Sequence, residues 1–271
     1  MDFNYQKLLG VTKGGDMSLK ELTLEGEIDR VQVAIERLKT FEPSEGYYLA
    51  FSGGKDSQVI YHLAKMAEVN FDSHFNFTTV DPPELVEFIK TYYPGVEIHR
   101  PEISMFKLIP KKQMPPTRIV RYCCEVLKEY GGSGRLVVTG IRSQESYKRS
   151  KRKMVETCFK DKTKRYINPI IDWSETDVWD FIHQQGLKYC RLYDEGYKRI
   201  GCILCPMQTK KGKLRDAERY PKFYKVYLLA FKKMIEHRHY SGLECKWKDP
   251  QEVMDWWIYE PSKQLQDTLF N

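Results

Sequence analysis

Apolar positions along the chain change period repeatedly. Ile28, Val31, Ala34, Ile35 and Leu38 recur at helical spacing and predict a helix over about 24–40. Glu42-Pro43-Ser44-Glu45-Gly46 reads as a turn, and residues 47–51 as a buried strand. The two patterns then alternate. A helix is predicted over about 57–66, a strand over 70–78, and a helix over 83–93 that opens on Pro82-Pro83. A short strand near 96–99 precedes helices near 103–112 and 119–129. Residues 135–140 form another strand and 167–171 a last one. The helix over 174–185 starts at Ser174 and carries Glu175 and Asp177 in its first turn, as a helix N-terminus favours. After Cys205 the strand signals stop, and 213–240 and 250–258 are helical, ending in DWWIYEP.

Strands separated by helix-length segments imply βαβ units and a mostly parallel sheet with helices on both faces. The expected organisation is an N-terminal helical extension over 1–42, an α/β domain over 43–206, and a C-terminal helical cap over 207–271. Composition agrees with a folded protein: 41% of the 271 residues are apolar and 13% aromatic. No window approaches 18 continuous apolar residues, and MDFNYQKLLGVTKGGD lacks the apolar core of a signal peptide. The expectation is a cytoplasmic protein without a membrane partner.

Charge sharpens the picture. The chain carries +7, and residues 141–165 alone hold ten Lys/Arg against Glu145, Glu156 and Asp161, again +7. Such a block suits phosphates, whether of a nucleotide or of a nucleic acid, and is otherwise a solvated basic loop.

The chemistry starts where the first buried strand breaks, at Ser52-Gly53-Gly54-Lys55-Asp56-Ser57, and a helix follows at once. This places backbone N–H groups at the carboxyl edge of the sheet, where open α/β folds bind ligands. The glycines permit close approach, the helix N-terminus adds partial positive charge, and Ser52 and Ser57 add hydroxyls. The expected ligand is an anion, most simply phosphate. Neither GxxxxGK[ST] nor GxGxxG is spelled here.

Seven cysteines without an oxidising compartment argue against a disulfide scaffold. Cys123 and Cys124 are adjacent, and Cys202 and Cys205 form a CxxC, with 77 residues between Cys124 and Cys202. Four thiolates from two regions can make a tetrahedral site, and on spacing alone zinc and a [4Fe–4S] cluster compete. Cys158, Cys190 and Cys245 stand alone as candidate reactive thiols or small core residues.

The loop SGGKDS resembles the SGGxDS PP-loop of ATP pyrophosphatases. GIRSQESYKR at 140–149, INPIIDWSETDVWDFI at 167–182 and LYDEGYKRIGCILCP at 192–206 resemble, in order, segments of the phosphoadenosine phosphosulfate (PAPS) reductase family. The resemblance implies an adenine nucleotide alpha hydrolase-like (PP-loop) fold. It implies nucleotide binding by Ser52, Gly53, Gly54, Lys55, Asp56, Ser57 and Asp81, and catalysis by Lys55, Asp56, Arg142 and Arg149. The CC…CxxC pattern is similar to that of cluster-bearing adenylyl sulfate (APS) reductases, which implies a [4Fe–4S] cluster on Cys123, Cys124, Cys202 and Cys205, with Lys128 offsetting its charge.

Two departures matter. The reductases carry a C-terminal Glu-Cys-Gly-Leu-His, whereas this chain has Glu244-Cys245-Lys246-Trp247. Their Asp-Thr-Gly after the second strand is replaced by Val80-Asp81-Pro82-Pro83. The expected function is therefore ATP-dependent sulfur transfer. ATP and Mg²⁺ would sit at the PP-loop, with Asp56 as a metal ligand, a cysteine desulfurase or other donor supplying sulfur, and a nucleic acid accepting it. Similar proteins serve DNA phosphorothioation and related ones thiolate tRNA. The alternatives are an assimilatory APS/PAPS reductase using thioredoxin and Cys245, and a non-catalytic nucleotide-binding redox subunit.

Overall fold

The computed structural model describes residues 19–23 and 26–259. Residues 1–18, on which the localisation reading partly rests, and Glu260 and Pro261 of DWWIYEP lie outside the described residues. Among the described residues, no helix is long and apolar enough to cross a membrane.

Six strands form the main sheet in the order β5-β4-β3-β6-β8-β7. They are β3 (Tyr47–Ala50), β4 (Phe71–Asn76), β5 (Glu97–His99), β6 (Leu136–Val138), β7 (Val155–Thr157) and β8 (Arg165–Ile167). β3 pairs parallel with β4 (Tyr47 opposite Phe71) and with β6 (Tyr48 opposite Val137), and β6 pairs parallel with β8. Tyr47, Leu49 and the whole of β6 are buried, so both faces of the centre are covered, as the near-continuous apolar runs require. The expected α/β sheet is present.

Two expectations are corrected. The first helix, α1, spans Arg30–Thr40 and not 24–40. Asp29 ends the preceding strand and accepts the amide protons of Val31 and Gln32, a side-chain cap that fixes the helix start. Residues Gly26–Asp29 form β2, paired antiparallel with β1 (Lys20–Thr23), which puts Ile28 in a strand despite its helical spacing to Val31. The apolar run over 167–171 is also mostly not a strand. Only Ile167 belongs to β8, because Pro169 has no N–H for the ladder and the chain turns there, Ile171 N–H donating to Asn168 O. The polar β7, which periodicity does not mark, is the antiparallel edge strand.

The described residues divide into two compact units. One comprises residues up to 75, 87–97 and 132–198; the other 76–86, 98–131 and those from 199. The first holds most of the sheet with α1, α2 (Lys55–Met66), α6 (Tyr147–Ser150) and α7 (Glu175–Gln184). Arg37 fixes α1 by donating to Asp172 with both terminal nitrogens, each at 2.8 Å. The second is built on α4 (Met105–Lys112), α5 (Tyr122–Leu127), α8 (Lys210–Arg219), α9 (Pro221–Tyr240) and α10 (Pro250–Tyr259). Its core surrounds the fully buried Trp257, whose indole N–H donates to Pro116 O at 2.8 Å.

In the first unit, His62 on α2 joins an aromatic group of Phe51, Tyr61 and Tyr93. Tyr93 donates its hydroxyl proton to Gln58, so His62 Nε2, 3.2 Å from Tyr93 Oη, is the donor to it. Burial, helped by the Lys65 ammonium, pushes the His62 pKa down to about 4. An unfolded histidine titrates near 6.5, so the unfolded chain binds a proton that the native state refuses. This stability is complete above pH 6.5 and is lost as pH falls towards 4. His62→Gln should therefore weaken the acid sensitivity of unfolding. Between pH 7 and 4.5 the wild type should lose about 2 kcal/mol more than the variant in urea titrations. Equal losses would refute the neutral, buried imidazole.

Candidate functional site

The PP-loop follows β3 directly. Gly53 has φ +72°, a left-handed conformation that glycine adopts without strain, and Gly54 takes the N-cap position of α2. Ser57 donates its hydroxyl to Gly54 O at 2.8 Å, and Ser52 donates to Ser57 Oγ at 3.1 Å, so the two serines brace the loop internally. Gln58, fully buried, donates from its amide to Gly53 O.

Asp56 and Arg142 meet here, with Arg142 Nε donating to Asp56 Oδ1 at 2.6 Å and the arginine only 4% exposed. This engages one oxygen of the residue expected to hold Mg²⁺. Lys55 is buried; its ammonium donates to Lys198 O at 3.0 Å and lies 3.2 Å from a Glu175 carboxylate oxygen. Arg149 is not brought to Asp56 in this way: it is ion-paired with Glu145, four residues back within the same motif.

Three residues without an expected role complete the loop. Tyr193 Oη accepts the Lys55 N–H at 2.8 Å, so a hydroxyl sits on the first amide of α2, where an anion would bind. Glu175 pairs with Lys55 across the first unit; its place in the first turn of α7 marked it only as a dipole partner. Gly140 lies against the loop so closely that a Cβ there would come within 2.8 Å of Asp56 C and O. Each acts through a contact more than 80 residues distant in sequence, which no local pattern reveals.

The cysteines assemble within the second unit. Cys123 is buried and Cys124 half-buried at the head of α5, and Arg121 donates to Cys124 Sγ at 3.0 Å. The CxxC turn is held from several sides. Ile203 N–H donates to Val80 O, Tyr227 Oη donates to Ile203 O, and the buried Asp216 carboxylate accepts Leu204 N–H at 3.0 Å. Leu204 itself adopts φ +56°, a conformation that costs a branched side chain about 1 kcal/mol or more, so the turn is over-determined by its neighbours. Thr78 Oγ1 lies 3.5 Å from Cys202 Sγ.

These thiols share one electrostatic field. The Cys123 hydrogen bond, then the Arg121 guanidinium, pull Cys124 down to about 6 against the opposing effect of burial. The same bond and burial push Cys123 up. Burial lifts Cys202 to about 11 although Lys128 opposes it. Lys128 is in turn held protonated, above all by Cys202, and then by Asp81, Cys205 and Cys124. Asp81, expected on the nucleotide, is buried among this group, and its Oδ2 accepts both the N–H and the hydroxyl of Thr78. A tetrahedral zinc ion with bonds of about 2.3 Å holds its sulfurs about 3.8 Å apart. Among the described residues, no three of the four sulfurs lie within 4.8 Å of one another. When deprotonated, the four thiols form a soft, anionic donor set.

Residues 46–208 match the model of the phosphoadenosine phosphosulfate reductase domain. The chain belongs to this family. The matched span contains the PP-loop, Asp81, Arg142, Arg149 and all four paired cysteines, and it ends before Cys245. Two Methanocaldococcus jannaschii proteins described as uncharacterized are 28% and 32% identical, over 83% and 72% of this chain. The chain spans only 62% and 43% of their lengths. An adenosine 5′-phosphosulfate reductase of Oceanobacillus iheyensis is 30% identical over 63% of this chain and 75% of its own. Among solved structures, a PAPS reductase of Candida auris aligns at TM-score 0.49 and 19% identity, covering 67% of this chain and 96% of that one. An FMN adenylyltransferase of Candida glabrata bound to FAD and pyrophosphate aligns at 0.47 and 15%, covering 70% and 71%.

In this PAPS reductase family member, Cys245 sits on an ordered segment between α9 and α10. Its thiol donates to Trp247 O at 3.4 Å, and it packs against the core of the second unit.

The Gly140 approach gives a direct test of the loop. Gly140→Ala should lower the melting temperature by several degrees, through an overpacking penalty of roughly 1–3 kcal/mol, and displace Asp56. Gly95→Ala, where an added Cβ meets nothing within 4 Å, should leave it unchanged. Equal melting temperatures for both variants would refute the close packing at Asp56.

Proposed function

We propose that the chain is an ATP-dependent sulfur-transfer enzyme that acts on a nucleic acid. The observation that carries this reading is the loop, in which a left-handed glycine, a helix N-terminus and the buried cations Lys55 and Arg142 converge on one short stretch. Such a stretch suits a polyphosphate. An acceptor oxygen attacks the α-phosphorus of ATP, the bond to pyrophosphate breaks, and pyrophosphate leaves; Asp56 would hold a Mg²⁺ that would neutralise its charge. Lys55 and Arg142 stabilise the charge that builds on the departing phosphates, and Arg149 joins them on exchanging Glu145 for phosphate. A persulfide carried by a cysteine desulfurase or another donor then attacks the adenylated centre, the oxygen leaves with AMP, and a second thiol cleaves the S–S bond, leaving the sulfur on the acceptor and a disulfide on the donor side.

Cys123, Cys124, Cys202 and Cys205 would hold a [4Fe–4S] cluster, which supplies an electron store or a sulfur-binding iron when bound. Arg121 and Lys128 balance the negative charge of those thiolates, and the Leu204 turn presents the last two. Sulfur insertion of this kind is the work of PAPS-reductase-like components of DNA phosphorothioation and of tRNA thiolation enzymes.

A second reading, reduction of APS or PAPS to sulfite with thioredoxin, is favoured by the names of relatives near 30% identity. The Cys245 environment speaks for the first reading, because its thiol is tied into a packed segment outside the family match.

Anaerobically purified protein should carry about four irons per chain, and Cys202→Ser should lose them; stoichiometric zinc in place of iron would end the cluster proposal. With ATP, Mg²⁺, an oligonucleotide and a persulfide donor, pyrophosphate should be released. Arg142→Ala should slow that release by about 10²–10³-fold. Sulfite production from APS with thioredoxin, abolished by Cys245→Ser, would establish the reductase reading instead.

A further inference from the structure

The basic block of residues 141–165 separates into two kinds of cation. Three of its four arginines take ion pairs: Arg142 with Asp56, Arg149 with Glu145, and Arg152 with Glu156. Its lysines include two that stand over exposed aromatic rings. Lys162 Nζ lies 5.1 Å from the ring centre of Phe159, and Lys151 Nζ lies 4.4 Å from that of Tyr147. The rings are the surprise. Phe159 is 89% exposed and Tyr147 76%, although both belong to a folded unit with a core to enter.

Phe159 is not on a loose tip. β7 and β8 form an antiparallel hairpin, with Thr157 opposite Arg165, and residues 158–164 connect them. Cys158 N–H donates to Lys164 O at 2.8 Å and closes the connection. Asp161, the connection's one carboxylate, accepts from Thr163 N–H and hydroxyl at 3.0 and 2.6 Å and from the Ser133 hydroxyl. Gly134 N–H donates to Thr163 Oγ1 and anchors the connection from outside. The acid is thus engaged by two hydroxyls and one amide. Phe159, Lys160 and Lys162 remain exposed on a braced loop at the edge of the sheet.

We propose that this hairpin, with α6, is a binding surface for single-stranded nucleic acid, in which Phe159 and Tyr147 stack on bases while Lys151, Lys160 and Lys162 meet phosphates. An open aromatic face beside an ammonium is what an unpaired nucleotide offers partners for, base and phosphate together. A duplex hides its base faces and would use only the charge. An anionic membrane would want an apolar helix face, whereas here the apolar groups are two separate rings, one of them on a polar hairpin. As the acceptor-binding face, this surface rests on the sulfur-transfer reading above; as a binding site, it is measured without ATP.

The test is fluorescence anisotropy with a labelled single-stranded oligonucleotide, the matching duplex, heparin, and vesicles containing phosphatidylserine. The single strand should bind more tightly than the duplex. Phe159→Ala should weaken it about 5- to 150-fold, the range for loss of one stacked base, and Phe159→Tyr should restore it. Lys160→Ala with Lys162→Ala should reduce the slope of log affinity against log salt by about 1.4. Circular dichroism melts confirm that each variant is folded. Stacking-dependent binding supports the surface even if pyrophosphate release fails, which would count against the sulfur-transfer reading alone. Duplex or heparin bound as tightly as the strand, vesicles bound in preference, or Phe159→Ala binding like wild type would overturn the proposal.

Discussion

A guanidinium almost wholly removed from water cannot remain unpaired, and Arg142 satisfies this demand through Asp56 at the head of α2. Breaking such a pair by removing one partner costs roughly 3–5 kcal/mol, so the pair fixes the geometry of whatever surrounds it. The distance of 2.6 Å requires the chain after β6 to approach the start of α2, and Gly140 is the residue whose missing Cβ permits this. The loop glycines then follow from the same constraint. With α2 held at its first turn, the chain leaving β3 must reverse within a few residues, and Gly53 does so at φ +72°. Lys55, next to Asp56, points to Glu175 and Lys198 O instead of competing for the carboxylate. The cations of the loop are thus positioned by protein acids and carbonyls.

The second unit solves a like-charge problem. Several thiolates in one place would repel each other, and burial disfavours the thiolates of Cys123 and Cys202, lifting Cys202 to about 11. Arg121 and Lys128 act against this, and their positions flank the CC pair on either side of α5. Holding the CxxC in a strained turn, with Asp216 and Tyr227 on its backbone, keeps its sulfurs in place at some expense in stability. Strain of this kind is retained where the surrounding contacts over-determine the turn.

Much of this was legible in the chain. The alternation of buried runs and helical periods gives the parallel sheet because parallel strands must be covered on both faces, and the SGGKDS break is visible because glycines interrupt an apolar strand. The cysteine pairs are likewise local spellings. The roles of Gly140, Tyr193 and Glu175 were not legible: all three lie in the resembling motifs, but each role depends on a partner far along the chain that no local pattern names. Periodicity also misled where local bonding overrode it. Asp29 capping restarted the chain as a helix one residue after a strand, and Pro169 ended a strand that the apolar run 167–171 continued. β7 escaped notice because an edge strand needs little apolar surface.

The same sequence block shows why residue type carries information that net charge does not. A +7 stretch could be uniform, yet its arginines and lysines are sorted by their chemistry. Guanidinium is planar, weakly hydrated and suited to directed pairing, so Arg142, Arg149 and Arg152 hold carboxylates and order the chain between α2 and β7. Ammonium is a strongly hydrated point charge on a long apolar stem, and Lys151 and Lys162 lay those stems and charges along exposed rings. Arg142 therefore braces the PP-loop through Asp56. Lys160 and Lys162 are displayed outward on the β7–β8 connection, whose one carboxylate, Asp161, is engaged by Ser133 and Thr163. The separation follows the difference between a planar guanidinium suited to directed pairing and a mobile, strongly hydrated ammonium.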